Sequence, residues 1–490
     1  MASMSLAQLA HGLVDIPPAL ATTIVSDLTL DSRQAASGNA FIAIQGAQTD
    51  GHRFIADALD KGASVVLAES LAAEGQDARV VSVPGLKGQI GALAKRFYAD
   101  PSQQLGLLAV TGTNGKTSIS DYIGQLLRLL GESAGTIGTL GARTRSGEAV
   151  ESQNTTPDVI SLNRQLAHWV EQGIGFAAIE ASSHALDQQR LEGLTIHTGV
   201  FSNLSRDHLD YHESMAAYKK AKLRLFADFK PERVIYNVDD KNTHAASEFG
   251  AHSALGISLR DAQADVYVQV ISEEASGLSF LLHSPFGSAD VSTRVHGRFN
   301  AFNVAAAMMA VCGLGFGFKD VAAAACYLQA VDGRMQAVGG GEDVRVVVDY
   351  AHTPDALESA LFTLKSSCTG ELWVVFGCGG DRDSGKRAEM GRVASGLASK
   401  IVITNDNPRT EDASAIAKEI ESGCKTGDVL VELDRAVAIA HAIKAARAGD
   451  TVLIAGKGHE SYQIVGTARH RFSDVEHAQQ ALAARGVADV

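Results

Sequence analysis

Proline is scarce in this 490-residue chain, at 9 residues, whereas glycine is abundant at 48. That balance excludes a proline-rich stalk and suits many tight strand-to-helix turns. Cysteine is rarer still. Cys312, Cys326, Cys368, Cys378 and Cys424 are odd in number, scattered and without C-x-x-C spacing. They exclude a disulfide scaffold and read as reduced packing residues of a cytosolic protein. No apolar run reaches the ~20 residues needed to span a bilayer. The opening "MASMSLAQLAHGLVDIPPAL" has no basic segment followed by an apolar one, so no export signal is expected. An excess of positive charge is also missing, because the formal net charge is −13. That argues against a nucleic-acid coat, although local Arg, Lys, metal ions and backbone N–H groups can still meet small anionic substrates. The expectation is a soluble, cytoplasmic monomer that binds small molecules, not nucleic acid or membranes.

Apolar residues make up 46% of the chain and charged ones 20%, enough for well-buried cores. The length suits about three domains. Ala-rich segments alternate with short Val/Ile/Leu runs, which predicts an α/β fold. The first domain, residues 1–88, is a small α/β unit with strand-like "AFIAIQG", "SVVLAES" and "RVVSV" around helical "HRFIADALDKG". The second, 89–336, opens with helix "IGALAKRFYAD", strand "LGLLAV", loop "TGTNG" and helix "KTSISDYIGQLLRLLG". That order is a βα unit of a P-loop-type parallel sheet, followed by further strands "FAAIEASS", "HTGVFSNLS" and "RVIYNVDD". Alternation between Asp265 and Val295 predicts an antiparallel meander, and helix "FNAFNVAAAMMAVCGLG" follows. The third, 337–490, begins after glycines 339–341, which read as a hinge. Its runs "VRVVVDY", "ELWVVFG", "KIVITND", "DVLVEL" and "TVLIAG" predict a Rossmann-like, doubly wound sheet. Unusual residues cluster where those strands end: Asp349, 377–382, 406–409 and 456–460.

"VTGTNGKTS" spans Val110 to Ser118. It ends like G-x-x-x-x-G-K-[ST], yet valine stands where the first glycine belongs. The chemistry needs inward backbone N–H groups, a helix N-terminus behind them and a lysine on the outer phosphates. Gly112 and Gly115 give the backbone that freedom, and Asn114 tolerates a left-handed conformation. Lys116 opens the helix, and Thr117 stands where a hydroxyl ligates Mg²⁺. Glu180 ends a neighbouring strand and can face that ion, or it is a solvated loop acid. In "SNLSRDHLDYH", Asp207, His208, Asp210 and His212 crowd together. They suit a hard metal or phosphate better than zinc, for which further ligands at the usual spacing are missing. In "AAYKKAKLRLF", Tyr218, Lys222 and Leu225 share a helix face, and Lys219 and Lys220 point elsewhere. From these residues alone the segment reads as a basic, solvated helix.

Taken together, "TGTNGKTS", "NTTP", "EASSH", "NLSRDHLDYH", "YKKAKLRLF", "NVDD", "GRFNAFN", "DGRMQ" and "VDYAHTP" resemble the Mur ligase family across all three regions. In that family the displaced glycine is the normal form. The resemblance implies that Gly112, Thr113, Asn114, Gly115, Lys116, Thr117 and Ser118 bind ATP phosphates. It implies that Asn300, Arg334, Asp349 and His352 close on the nucleotide. Thr117, Glu180, His208 and Lys222 become ligands of Mg²⁺, with two ions expected. Lys222 would carry a CO₂-derived carbamate, which reverses the solvated-helix reading. Leu30, Ser32, Ala47, Gln48 and Thr49 would hold the uridine end of a UDP-muramoyl-dipeptide. Asn154, Thr155, Thr156, Ser182, Gln188 and Arg190 would hold its peptide end.

Three further motifs, "LDSRQAASGNAFIAIQGAQTDGH", "DNPRTE" and "GKGHESYQ", are similar to family members that add meso-diaminopimelate to UDP-N-acetylmuramoyl-L-alanyl-D-glutamate in peptidoglycan synthesis. That amino acid differs from lysine by one carboxylate, which an arginine answers with a bidentate pair. Arg409 is the candidate and Arg382 the second. Asp406, Asn407, Pro408, Gly456 and Glu460 complete the expected pocket. Alternatives are a lysine-adding Mur ligase, a folylpolyglutamate-synthase-like ligase, and a catalytically silent nucleotide-binding regulator.

Overall fold

Strands Asn39–Ala43 and Val65–Ala68 are buried at every position, the pattern of a parallel sheet covered on both faces. They stand centrally in a parallel sheet ordered Asp27–Thr29, Asn39–Ala43, Val65–Ala68, Val80–Ser82. Side chains alternate between two cores. Leu28, Ala40, Ile42 and Leu67 meet Leu93 and Phe97 of helix Ile90–Phe97. Phe41, Ala43, Val66 and Ala68 meet Ala58 of helix Ile55–Asp60. Burying an aromatic such as Phe41 contributes roughly 1.5–3 kcal/mol.

The computed structural model describes residues 3–46, 49–70, 77–144, 149–150, 154–249, 252–274, 277–339, 343–425 and 428–487. They divide into two compact units. The first contains residues 1–109, 131–199 and 224–232, and the second 110–130, 200–223 and 233–490. The chain passes from the first into the second within strand Gly106–Thr111.

Besides the sheet above, the first unit holds parallel strands Ala134–Gly138 and Phe176–Glu180, with Gly141–Arg143 antiparallel to the former. Helix Val159–Glu171 is capped by Asp158, whose side chain accepts from the backbone N–H of Ile160 and Ser161. Its Trp169 lies so close to Gly135 that a Cβ there would come within 2.6 Å of the ring.

In the second unit, parallel strands Arg233–Asn237 and Ser253–Ser258 lead into the expected meander, Val266–Glu274, Gly277–Ser284 and Gly287–Thr293. Helix Phe299–Gly313 is buried along almost its whole length. A second sheet follows in the order Gln336–Val338, Arg345–Asp349, Thr451–Ala455, Leu372–Phe376, Lys400–Ile403, Asp428–Val431. All its pairings are parallel except the first. Leu357, Leu361 and Met390 pack one face, and Ile439, Ile443 and Ala478 the other. This is the α/β, three-domain architecture predicted, with a P-loop-type parallel sheet, a meander and a Rossmann-like sheet. Sequence reading missed the hairpin Tyr462–Val465/Ala468–Arg471. All five cysteines are free. Among the described residues no helix is long and apolar enough to cross a membrane.

Candidate active site

Strand Gly106–Thr111 is buried beyond its first residue, so Val110 is a core residue of the strand and the loop begins after it. Gly112 turns with φ +145°, where a Cβ would collide with Ser202 Oγ. Gly115 has φ +87°, and a Cβ there would lie 2.8 Å from Asn303 Oδ1. The loop is held from outside. Thr113 N donates to Asn203 O at 2.9 Å, and Asn114 N to Asn203 Oδ1 at 2.9 Å. Helix Lys116–Leu129 starts without a side-chain cap. The positive end of its dipole therefore favours an anion. Lys116 Nζ folds back onto Gly112 O at 2.9 Å and Thr113 O at 2.8 Å. Thr117 is buried, and its Oγ1 accepts from Arg334 Nη2 at 3.0 Å. Ser118 is buried in the same turn.

Arg334 lies 4.4 Å over the Tyr350 ring, and its buried Nε has no hydrogen-bond partner among the described residues. Asp349 accepts from Met335 N at 2.7 Å, and burial raises its carboxyl above the usual range. Asn300 donates to His296 O at 2.6 Å and accepts from Asn303 at 2.7 Å, next to Gly115. A cradle of small residues, an uncapped helix start and flanking cations fits a nucleotide phosphate chain.

Lys222 overturns the solvated-helix reading. It is buried with Tyr218 and Leu225, while Lys219 and Lys220 are not. Its Nζ lies 4.5 Å over the Tyr218 ring and donates to Gly112 O at 2.6 Å. Burial, and then the Lys116 charge, hold its pKa well below the ordinary lysine value, against an opposing pull from Asp207.

In "RDHLDYH", His208 adopts φ +54° at the start of short helix Leu209–His212, and its ring lies 6.1 Å from that of Tyr218. Buried His212 packs on Tyr211 and Tyr218. Asp207 is the buried centre. Its carboxylate lies 3.3 Å from His208 Nε2, 3.4 Å from His352 Nε2 and 3.4 Å from Lys386 Nζ. Burial pushes its pKa up, yet Lys386 and the two histidines outweigh this and leave it well below the carboxylate range. Among the described residues no group of three or more His, Cys, Asp or Glu gathers as a metal set. Lys386 was not foreseen, although it follows Arg382 by four residues in "GDRDSGKR".

In the first unit Thr155, Thr156, Ser182, Gln188 and Arg190 lie in one hydrogen-bond network around Glu180. Glu180 is buried, not a solvated loop acid. It accepts from Thr139 N at 2.8 Å and Thr139 Oγ1 at 3.1 Å. The Thr139 hydroxyl also lies 3.3 Å from Thr155 Oγ1. Thr156 Oγ1 donates to Glu180 O at 2.6 Å and reaches Ser182 Oγ at 3.2 Å. Arg190 donates to Thr156 O at 2.8 Å and to Gln188 Oε1 at 2.7 Å. Asn154 lines a cavity of 1310 Å³ together with Leu30, Ser32 and Thr49. Ala47 and Gln48 lie outside the described residues, as do two of the three hinge glycines, Gly340 and Gly341.

The remaining predicted residues meet at the carboxyl ends of the second sheet. Arg409 sits at φ +51° in an isolated bridge to Val465, not at a helix start. Its Nη1 donates to Gly380 O at 2.7 Å. A Cβ built on Gly379 would lie 2.9 Å from that nitrogen and 3.7 Å from Arg382 Cγ, so both arginines flank one point. Burial and then the Arg382 charge lower the Arg409 pKa, against Asp406, Glu460 and Asp381. A half-buried Arg409 beside an exposed Arg382 brings two cations close together, which favours a bound carboxylate. Opposite them, Asn407 donates to Glu460 Oε2 at 3.1 Å, and Asp406 is buried beside Gly456. Pro408 is buried between them, its carbonyl against Gly380. Buried Lys457 was missed as a pocket member. It donates to Glu460 Oε2 at 2.7 Å and Asn407 Oδ1 at 3.1 Å, so Glu460 already carries a cation. Its signal was its place inside "GKGHE".

Phosphate cradle, buried lysine and mixed-charge pocket define a nucleotide-dependent ligase, and the known proteins this chain resembles agree. Family models match for the Mur ligase family, catalytic domain over residues 25–98, the Mur ligase middle domain over 110–311, and the Mur ligase, glutamate ligase domain over 333–458. The UDP-N-acetylmuramoyl-L-alanyl-D-glutamate–2,6-diaminopimelate ligase of Pseudomonas aeruginosa is 45% identical over 477 residues, covering 96% of this chain and 97% of that protein. The enzyme of that name from Xanthomonas campestris pv. campestris is 44% identical over 492 residues, 99% and 98% of the two chains. A solved structure of that name superposes with a TM-score of 0.71 at 36% identity, over 99% of this chain and 100% of the other. MurF of Thermotoga maritima, solved with ADP, shares the fold with a TM-score of 0.66 at 17% identity, over 95% and 98% of the two chains. The chain belongs to the Mur ligase family. Its activity is ATP-dependent amide-bond formation in the making of a peptidoglycan precursor.

Proposed function

We propose that this ligase joins meso-diaminopimelate to UDP-N-acetylmuramoyl-L-alanyl-D-glutamate. The observation that carries the reading is the pairing of Arg409 and Arg382 around one point, across from Asp406, Asn407 and Glu460. A distal head bearing both carboxylate and ammonium matches that arrangement. Lysine would leave half-buried Arg409 without an anion, at a cost of about 1–3 kcal/mol.

A carboxylate does not react with an amine near neutral pH, because oxide would have to leave. The γ-carboxylate of the D-glutamyl group therefore attacks the γ-phosphorus of ATP, releasing ADP and leaving an acyl phosphate. The neutral amine of diaminopimelate then attacks the acyl carbon, phosphate departs and the amine loses its proton. Phosphoryl transfer depends mainly on positioning and charge cancellation. Lys116, Arg334 and the N-terminal dipole of helix Lys116–Leu129 supply both here, with Asn300, Asp349 and His352 on the nucleotide side. No nucleophilic Ser or Cys is needed.

Of the proposed Mg²⁺ ligands, Thr117, His208 and Lys222 belong to the second unit and Glu180 to the first. Bound Mg²⁺ would neutralise charge on the transferring phosphoryl group. Lys222 is the proposed carbamate carrier, and its desolvation favours the neutral amine that CO₂ requires. The cavity wall formed by Leu30, Ser32 and Thr49 is assigned to the uridine end, and Asn154, which lines the same cavity, is assigned with the Thr155–Thr156–Ser182–Gln188–Arg190 network to the peptide. Domain limits at 1–88, 89–336 and 337–490, a monomer and a cytoplasmic site complete the proposal. Phosphate release tests it with each substrate omitted in turn. Release should require ATP, the muramoyl-dipeptide and diaminopimelate together, and release that ignores the acceptor would refute ligation.

A further inference from the structure

Arg435 and Asp474 form an ion pair in which neither side chain has any exposure. Nε and Nη2 of the arginine donate to the two carboxylate oxygens, each at 2.7 Å. The same guanidinium reaches Ala455 O at 2.9 Å and Asn405 O at 3.2 Å. Those carbonyls precede Gly456 and Asp406 by one residue: Ala455 ends strand Thr451–Ala455, and Asn405 lies in the loop after strand Lys400–Ile403. Gly456 has φ +115°, and a Cβ on it would lie 2.7 Å from Asp406 Oδ2 and 3.9 Å from Arg435 Nη2. The two loops thus touch directly above the guanidinium.

Neither local structure nor stability accounts for an arginine there. Arg435 is the first residue of helix Arg435–Ala445, where the helix dipole disfavours a cation. Asp434 already caps that helix. Buried ion pairs are often no more stabilising than apolar residues of equal volume. What an apolar pair cannot do is donate to two backbone carbonyls from one rigid, planar fork.

We infer that Arg435, oriented by Asp474, is a positioning residue of the amino-acid pocket, tying the loop after Lys400–Ile403 to the end of strand Thr451–Ala455 and so fixing Asp406 against Gly456. The inference rests on the pocket proposed above as the site of the incoming amine. It also gives helix Asp474–Val487 a role in that site, through its first residue.

Steady-state kinetics on the full chain tests this with R435K and with R435M/D474L. R435K keeps a cation opposite Asp474 but lacks the fork, and the double variant leaves no buried charge unpaired. The expected result is a split: KM for diaminopimelate rises at least about tenfold, as for a misplaced binding group, while KM for ATP is unchanged. Unchanged KM for diaminopimelate in either folded variant overturns the inference. So does a common change in both KM values and kcat, the mark of general destabilisation. R435K decides the matter if the double variant does not fold, and failure of R435K to fold, read from near-ultraviolet circular dichroism, also overturns it. Wild-type protein that rejects diaminopimelate overturns the pocket's substrate assignment instead, and the same split is then read with the amino acid it accepts.

Discussion

Lys222 Nζ donates across 2.6 Å to the carbonyl oxygen of Gly112, the residue on which the phosphate loop turns. A buried lysine is thereby fastened to the backbone of the nucleotide cradle, with Lys116 Nζ on the same oxygen at 2.9 Å. Two ammonium groups on one carbonyl repel each other, and the deeper one is the easier to keep neutral. A neutral amine can add CO₂ and become an anion, which converts the repulsion into attraction.

Carbamylation should therefore be detectable and necessary. Protein equilibrated with ¹³C-bicarbonate is expected to show a carbamate resonance that is missing from K222R. Turnover of K222R should fall by at least about a hundredfold, the scale of losing one electrostatic group at a reacting centre. A K222R enzyme with wild-type turnover would refute the role.

The same lysine shapes pH-dependent stability in protein free of metal and bicarbonate. Its folded pKa lies below the ordinary 10.5, so between these two values the unfolded chain binds more protons. Stability contributed by this group must then increase as pH rises through that window. Denaturant titrations at several alkaline pH values should show K222M lacking this upward slope relative to wild type. Parallel slopes would contradict the burial argument.

Gly112 tolerates no side chain, since its φ is +145° and Ser202 Oγ fills the Cβ position. G112A is expected to lose about 1–3 kcal/mol of stability from backbone strain, with a raised KM for ATP. Calorimetry and ATP titration check both. Adding S202A relieves the clash but not the strained φ, so it should restore only part of the loss.

Much of this was legible in the sequence, for physical reasons. Buried parallel strands must be continuous apolar runs, so "AFIAIQG", "LGLLAV" and "TVLIAG" announced themselves. Lys222 was misread at first because periodicity gives the face of a helix but not what covers that face. The cover includes the Gly112 carbonyl, 110 residues away in the chain. Lys386 escaped because its partner Asp207 is 179 residues away. Arg435 escaped similarly, as an ordinary charged residue at a helix start. Hairpin Tyr462–Val465/Ala468–Arg471 is short, and its second strand, "ARHR", is exposed with no apolar alternation to mark it.

Arg409 should matter for one substrate. R409A is expected to raise KM for diaminopimelate by about 10–150-fold, the range of a lost charge-assisted hydrogen bond of ~1.5–3 kcal/mol. ATP binding by titration calorimetry should be unchanged. R409K keeps the charge without the bidentate fork and should fall between the two. A variant that loses both substrates together would place Arg409 in the fold, not in recognition.

Competition between amino acids tests the central claim most directly. Wild-type protein is incubated with ATP, Mg²⁺, UDP-N-acetylmuramoyl-L-alanyl-D-glutamate and equal concentrations of meso-diaminopimelate and L-lysine, and the product is weighed by mass spectrometry. The account predicts the diaminopimelate adduct almost alone. Equal adducts, or lysine in excess, would contradict it.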